Sequence, residues 1–576
     1  MSTNIISFFL PLLLGFVSVY GCPKITTCKC TPFDPCWPSQ AAWSTLNETV
    51  DGRLIATIPL GSPCHEPTFN ATECEYLQEH WIDPTLHLPS SSSVMAPFYA
   101  NRSCDPFTTT DSPCLLGNYV AYAINVSETA HIVAGLQFAQ EHNIRLVVRN
   151  TGHDYLGKST GAFALGIWTH YLKSIEFIDY NRTYYTGKAI KMGSGVEGFE
   201  ANAAGQVAGY QIVGGECPTV GIAGGYTQGG GHSVLGSYHG LGADQTLEFE
   251  VVLANGSIVT ASPEENKDLF WAMSGGGGGT YGISVSVTSR AHPDTNVTAA
   301  WIVMNQTASP DNASYYDAIS SFYALSPAIT AANGTVVSFA APDSFSVAPA
   351  VFPAAASEEI VRAILKPYTD KLTAFNISHS YTLTTFPDYR TFFDTAWPDL
   401  DFFAVGVDQY GSYLLPRNIY TSNENLSKLN SIISDFNSQG ATLTSVVIDV
   451  SRFATQSDGI RAVLPAWRNA LSHSIVFSPW SFDPSAWDQM LENQRTITNN
   501  VFKLKAIAPN SGAYVNEGDG NEPEWKEVFW GSNYEGLLEV KKKYDPEFLF
   551  FANRAVGSDY WTVDESGKMC KSFVGQ

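Results

Sequence analysis

The sequence is short of charge. Only 15% of its 576 residues are Asp, Glu, Lys or Arg, and 32 basic residues stand against 55 acidic ones, for a net charge of −23. No block or stripe of Lys and Arg interrupts that acidic excess, which excludes a nucleic-acid partner. Long apolar runs are missing as well. The one candidate, Ile5 to Val19, falls short of the ~18–20 apolar residues that a membrane span needs and contains Pro11. There is no internal repeat, no low-complexity linker and no G-x-S-x-G elbow for a hydrolase serine. No His/Asp/Glu grouping has the spacing of a metal site, and Cys28-Lys29-Cys30 has no matching His pair for zinc.

What is present is aromatic and apolar. Thirteen Trp, 27 Tyr and 33 Phe within a 44% hydrophobic composition build a large core and exclude intrinsic disorder. The length predicts two or more packed units. Residues 1–21 read as a signal peptide, with small residues around Val19-Tyr20-Gly21 at the cut. Eight cysteines (Cys22, Cys28, Cys30, Cys36, Cys64, Cys74, Cys104 and Cys114) crowd the first fifth of the chain, as disulfides in an oxidising compartment would. Twelve Asn-x-Ser/Thr sequons run from Asn47 to Asn425. Together these features predict a secreted, extracellular, disulfide-bonded and N-glycosylated monomer with no membrane partner.

The texture divides the chain into a signal peptide (1–21), a Cys-, Pro- and Ser-rich extension (22–109), a glycine-dense segment alternating strands and helices (110–295), a middle segment (296–509) and a closing segment (510–576). In the glycine-dense part, Ser127 is placed to cap a helix carrying Ile132, Leu136 and Ala139 on one face, with Asn143 as its stop. The strand Arg145–Arg149 follows. In the middle segment, Thr335–Phe339 and Ser445–Val450 read as strands and Glu358–Leu365 as a helix. Aromatics cluster from Phe386 through Tyr389, Phe392, Phe393 and Trp397 to Phe402 and Phe403. That cluster is either core packing or the wall of a substrate pocket. Near the end, a helix carries Tyr534, Leu537, Leu538 and Lys541 on one face and closes at Tyr544-Asp545-Pro546.

Three glycine motifs imitate nucleotide sites. Gly152 to Ser159 satisfies G-x-x-x-x-G-K-[ST], but Thr160-Gly161-Ala162-Phe163 is a poor first turn for the helix that must face the phosphates. Gly277-x-Gly279-x-x-Gly282 sits between a helix and a strand, the reverse of a dinucleotide site. Gly193-Ser194-Gly195-Val196-Glu197-Gly198 does follow a strand-like Ala189–Met192 and opens a helix-like Phe199–Val207, so a Rossmann-type nicotinamide dehydrogenase remains an alternative. A better signal is a pair of segments: Arg149-Asn150-Thr151-Gly152-His153-Asp154, and Gly214-Gly215-Glu216-Cys217-Pro218-Thr219-Val220-Gly221 continuing to Gly231-His232. Bare glycine backbone can approach a pyrophosphate or a flat ring closely, and each run carries a nucleophile.

These two segments resemble the flavin-binding motifs of the vanillyl-alcohol-oxidase superfamily with its PCMH-type FAD domain, specifically the berberine-bridge-enzyme-like branch. The resemblance covers residues 110–290 and 510–560, the latter through Tyr514-Val515-Asn516, Trp525, Gly531–Tyr534 and Lys543–Pro546. The Cys-rich start and Asn516-Glu517 look most like fungal secreted, isoamyl-alcohol-oxidase-like members. The resemblance implies an α+β fold. A two-subdomain FAD-binding domain is joined to a substrate domain with an antiparallel sheet, and the C-terminal segment returns to the FAD domain.

It further implies FAD bound covalently through His153 and Cys217. The cradle it implies contains Arg149, Asn150, Thr151, Gly152, Asp154, Ser159, Gly215, Val220, Gly221, Gly224, Gly225, Thr227, Gly230, Gly231, His232, Gly242, Ile283, Tyr514 and Asn516. Where plant members carry a Tyr after that Asn, this chain has Glu517, and where many relatives carry His it has Tyr226. Both are candidates for the catalytic base. Glu517 could instead be an exposed carboxylate, and Tyr226 a ring packed on the cofactor. His232 and His239 are either flavin or substrate contacts or structural hydrogen-bond partners. His65, His80 and His87 read as surface or packing residues. With Cys217 given to flavin, nine cysteines remain, so one stays without an intramolecular partner.

The implied reaction is oxidation of a small-molecule alcohol, with hydride passing to flavin N5 and dioxygen reduced to hydrogen peroxide; Val220, three residues after Cys217, is associated with oxygen reactivity in related plant proteins. An oligosaccharide or a secondary metabolite is an alternative substrate on the same scaffold. A flavin-carrying protein without turnover is the alternative of a different class.

Overall fold

A computed structural model describes residues 28–354, 357–454 and 459–572, so the signal-peptide reading and Cys22 lie outside the described residues. Among those described, no helix is long and apolar enough to cross a membrane. The architecture is α+β and is built on three main sheets. The first has strands Leu54–Ala56, Tyr122–Asn125, Leu165–Trp168 and Leu146–Arg149 in that spatial order, with the last three parallel. The second is antiparallel, ordered Ile175–Arg182, Tyr185–Gly193, Ile283–Arg290, Thr246–Val252 and Ile258–Ala261. The expected helix runs Thr129–Glu141, and its apolar residues Ile132, Leu136 and Ala139 are fully buried against the first sheet. Its N-cap position is Glu128, one residue beyond Ser127.

The third sheet has seven antiparallel strands, ordered His379–Phe386, Val297–Asn305, Ser344–Pro353, Thr335–Ala340, Thr442–Val447, Ala470–Pro479 and Asp408–Pro416. Successive side chains on a strand point to opposite faces. Val336, Ala340, Leu443, Val447 and Val476 therefore join a core with helices Asn312–Tyr323, Glu358–Ala374, Asn423–Ser438 and Trp487–Ile507. The intervening Val337, Phe339, Thr444, Val446, Ile475 and Phe477 face a large cavity.

Two expected boundaries move. The helix from Glu358 runs on to Ala374, past Pro367, because Tyr368 and Leu372 continue the buried stripe of Val361 and Leu365. The strand expected at Ser445–Val450 is Thr442–Val447, since its pairing with Ala470–Pro479 ends at Val447 opposite Ser472.

The extension is not merely draped over the body. Its strand Leu54–Ala56 completes the first sheet, and Trp43 stacks on Tyr122 at 4.0 Å. Disulfides join Cys30–Cys36, Cys64–Cys74, Cys104–Cys114 and Cys28–Cys570. Cys217 is a free thiol. The closing segment returns to the same sheet, where Phe550 bridges Leu146. Lys541, on the buried face of helix Tyr534–Tyr544, donates to Asp545 at 2.6 Å and to the carbonyls of Thr280 and Phe550 at 2.7 and 2.6 Å.

Candidate active site

Two loops and one returning strand of chain meet at the cavity. The first loop leaves strand Leu146–Arg149, and no helix follows Gly152–Ser159, so the phosphate-loop imitation has no helix terminus to offer. Asp154 instead folds the segment on itself, accepting from the amides of Leu156 and Ser159 at 2.9 Å each. Gly152 has φ +94°, and a side chain there would strike the Arg149 guanidinium.

The second loop turns tightly at Cys217–Val220. That turn sits on the N-terminus of helix Gly198–Ala208, whose Gly198 and Phe199 amides donate to the carbonyls of Val220 and Pro218 at 3.0 and 2.9 Å. The dinucleotide imitation at Gly193–Gly198 is thereby explained. Its strand lies in an antiparallel sheet rather than a βαβ unit, and its helix terminus holds the Cys217 turn instead of a pyrophosphate.

The glycines interlock the loops as much as they thin them. A Cβ on Gly221 would stand 2.0 Å from Asn150 Oδ1, and one on Gly229 would stand 2.5 Å from Asn516 Nδ2. Asn150 thus seats against the second loop and donates to the Ser194 carbonyl and to Thr169 Oγ1. Asn516 donates at 2.7 Å to the Gly225 carbonyl and to the Tyr514 hydroxyl. Lys158 donates to the Val515 carbonyl at 2.9 Å, tying the first loop to the closing segment. Burial pushes its pKa down to about 8.

The resulting cavity measures about 780 Å³, toward the upper end of small-molecule sites. His153 and Cys217 both line it, as do Asn150, Thr151, Gly152, Asp154, Ser159, Gly215, Val220, Gly221, Gly224, Gly225, Tyr226, His232, Ile283, Tyr514, Asn516 and Glu517. Arg149, Thr227, Gly230, Gly231 and Gly242 are not brought to it. Arg149 is buried beneath Gly152 and donates to the Ser93 carbonyl. Thr227 donates to the Ile222 carbonyl at 2.6 Å. Gly230 and Gly231 make a left-handed turn whose carbonyls accept from Ala243 and Gly242. These five shape the loop and do not form its face. His239 also stands apart, stacked on His292 at 3.7 Å. In the extension, His87 is a packing residue bonded to Ser93 and the Trp81 carbonyl.

One side of the cavity carries a hydrogen-bonded acid–base array. His473 Nε2 donates to Glu517 Oε2 at 2.7 Å; His232 Nε2 lies 3.2 Å from Glu517 Oε1, and its Nδ1 lies 3.4 Å from Glu216 Oε2. Burial opposes charging His232, but Glu517 and Glu216 on either side raise its pKa well above 6.5. Burial likewise opposes the Glu517 carboxylate, yet His232 and His473 hold its pKa well below the usual carboxylate range. Burial lowers that of His473.

Spacing in the sequence suggested no metal ligands, but the fold gathers these two imidazoles and the carboxylate within 4.8 Å of one another. Ligands at ~2.0–2.1 Å from one tetrahedral ion stand about 3.3 Å apart. The 2.7 Å contact between His473 and Glu517 is that of a charge-assisted hydrogen bond. Tyr226 has its hydroxyl committed to the His232 carbonyl at 3.0 Å, and its ring fills the space left by Gly231 and Gly242.

His473 was not anticipated from sequence. The only signal was its position two residues before Ile475 on the cavity-facing side of a strand. Asp408 was also missed; it lines the cavity, and burial raises its pKa to about 7. The lining also has a large apolar part, with Trp301, Trp397, Phe402, Phe403, Val405 and Phe477. The aromatic cluster thus serves both readings, since Phe386, Tyr389, Phe392, Phe393 and Trp397 also pack as a core.

A flavin dinucleotide fits this cavity by its chemistry. Bare backbone at Gly215, Gly225, Gly278 and Gly279 walls a flat space beside an imidazole and a thiol, and Gly278 passes so close to Gly225 that a Cβ would lie 3.0 Å from its Cα. Residues 120–262 match the family of the FAD binding domain, and residues 513–557 match the family described as berberine and berberine like. The chain is 44% identical over 569 residues to the FAD-linked oxidoreductase ZEB1 of Gibberella zeae, spanning 98% of this chain and 99% of that protein. It is 38% identical over 563 residues to the VAO-type flavoprotein oxidase VAO615 of Thermothelomyces thermophilus, spanning 95% and 96%.

The crystal structure of the VAO-type flavoprotein MtVAO615 from Myceliophthora thermophila C1 superposes with a TM-score of 0.90 at 37% identity, covering 95% of this chain and all of that one. A glucooligosaccharide oxidase of Acremonium strictum, 21% identical, shares the fold at a TM-score of 0.61 over 76% of this chain and 92% of its own. This chain is therefore an FAD-dependent oxidoreductase, a member of the vanillyl-alcohol-oxidase-type flavoproteins in their berberine-bridge-enzyme-like branch.

Proposed function

We propose that the protein is a secreted oxidase that holds FAD covalently through His153 and Cys217 and oxidises an alcohol carbon of an apolar or aromatic small molecule. When bound, FAD supplies the hydride acceptor and passes the electrons to dioxygen, giving hydrogen peroxide. The observation that carries this reading is the Glu517 carboxylate, fixed between His473 and His232 at the wall of the cavity.

Glu517 takes the hydroxyl proton. As the carbinol carbon loses hydride, that proton becomes strongly acidic, so even a carboxylate held below its usual range accepts it. His473 and His232 keep Glu517 ionised and aimed. Trp301, Trp397, Phe402 and Phe403 hold the substrate's apolar body and exclude water. The committed hydroxyl of Tyr226 supports its reading as a packing ring and not as the base. Val220, beside Cys217 on the cavity wall, supports access for dioxygen.

Four disulfides among the described residues support an oxidising compartment. The covalent bonds are supported by both nucleophiles lining one cavity and by the 6-S-cysteinyl, 8α-N1-histidyl FAD of the Acremonium strictum enzyme. The apolar wall favours an aryl or long-chain alcohol over a sugar.

The test is mass spectrometry of the secreted, digested protein for flavin on the peptides of His153 and Cys217, with peroxide release measured on aryl alcohols and on oligosaccharides. One FAD joined to both peptides and peroxide from aryl alcohols are expected. Peroxide from oligosaccharides alone would move the substrate to sugars, and no covalent flavin would sink the attachment.

A further inference from the structure

Between the two attachment residues stands a side chain of the second glycine segment to which the sequence assigned no role. Thr219 is fully buried in the Cys217–Val220 turn. Its Oγ1 lies 2.7 Å from His153 Nε2 and 3.6 Å from Cys217 Sγ. The turn cannot drift, because its carbonyls are held by the first amides of helix Gly198–Ala208. A single hydroxyl therefore touches both nucleophiles from a rigid base.

We propose that the Thr219 hydroxyl is the positioning group for both covalent attachments: it accepts a hydrogen bond from the Nε2–H of His153, leaving the lone pair on Nδ1, and donates its own hydrogen to Sγ of Cys217. This inference rests on the reading of His153 and Cys217 as the attachment points. A neutral imidazole has one protonated nitrogen, and which one is set by the hydrogen bond the other side of the ring makes. With Thr219 accepting at Nε2, the nucleophilic lone pair falls on Nδ1.

Burial keeps His153 neutral, its pKa pushed down to about 3, so the lone pair is present at any working pH. The thiol has the opposite difficulty. Burial pushes Cys217 up to about 11, and the hydrogen bonds from Thr219 are what oppose that rise. A thiolate forming at Sγ needs such a donor.

The balance closes for each bond. An N–C or S–C bond forms; one hydrogen leaves the residue and one leaves the flavin carbon, as two protons. The electron pair enters the ring and is passed to dioxygen, which is reduced to hydrogen peroxide. Each attachment thus consumes one dioxygen and yields one peroxide.

The experiment compares wild type, T219V and T219S, each secreted as the full chain and incubated in air with excess FAD. The flavin-bearing peptides of His153 and Cys217 are quantified by mass over time, alongside the thermal unfolding of each variant and the visible flavin spectrum. T219V keeps the shape of the side chain and removes the hydroxyl. Its attachment at both residues is expected to slow by about ten- to a hundredfold, the scale of a lost hydrogen bond at a buried polar group, while T219S restores it.

Wild-type rates of attachment in T219V would overturn the proposal. Equal loss in T219V and T219S would overturn it too, because packing and not the hydroxyl would then be at work. Wild type lacking one or both bonds would overturn the attachment reading itself, an outcome seen without any variant.

Discussion

Glu517 carries a negative charge only because of its neighbours. Replacing it by Gln keeps the shape and removes the acceptor. E517Q should lose about 10²–10⁴ in kcat while its flavin content, read from the visible spectrum, stays at the wild-type level; an unchanged kcat would assign the proton to another group. The same array makes stability depend on pH. The folded pKa of Glu517 is depressed from 4.5, so its contribution is present above pH 4.5 and fades as pH falls through the folded value. That of His232 is raised above 6.5, so its contribution is complete below pH 6.5 and fades as pH rises through the folded value. The contribution of this array to the melting temperature should be highest between pH 4.5 and 6.5, and H232N should flatten its alkaline side.

Asp408 works in the other direction. Its folded pKa of about 7 exceeds 3.8, so stability falls as pH rises through that interval, and D408N should remove the fall. Equal pH slopes for wild type and D408N would mean that the carboxylate is solvated. Of these residues, His232 was legible at the end of the second glycine run and Glu517 as the residue after Asn516. His473 and Asp408 were not, since each reaches the cavity only through the pairing of strands far apart in sequence.

At the scale of elements, the glycine loop and the Asn150 loop are one structure. G221A would press a Cβ to 2.0 Å from Asn150 Oδ1, an overpacking of about 1–3 kcal/mol. We expect G221A to be recovered with less bound flavin, and the double variant N150A/G221A to regain part of it; failure of the second change to help would place the strain elsewhere. The loops were legible because glycine runs with nucleophiles are rare. Two strands of the seven-stranded sheet, read at 335–339 and 445–450, were legible as apolar runs; which face meets the cavity was not, because Val336 beside Val337 and Val446 beside Val447 are apolar on both faces. One face meets helices and the other meets the cavity, so the alternation that marks a strand disappears. Similarly, the helix read over Glu358–Leu365 runs on past Pro367, because the buried stripe through Leu372 carries it to Ala374.

For the whole molecule, the closing segment matters as much as the motifs. It supplies Tyr514, Asn516 and Glu517 to the cavity, and it is anchored through the disulfide Cys28–Cys570. Removing that crosslink with C28S/C570S should lower stability by about 2–5 kcal/mol, read as a lower melting temperature and earlier proteolysis of the closing segment. Equal melting curves would show that the noncovalent contacts of that segment suffice.

The same crosslink sets a timetable for biogenesis. Its partners are 542 residues apart, so at about 5–20 residues per second of synthesis Cys28 waits roughly half a minute to two minutes for its mate. Throughout that delay it sits two residues from Cys30 and eight from Cys36, either of which it could seize in error. Completion of this crosslink is therefore decided late, after translation, and a shortage of disulfide-shuffling capacity should be visible as a lower yield of folded protein before it is visible as lost activity per molecule.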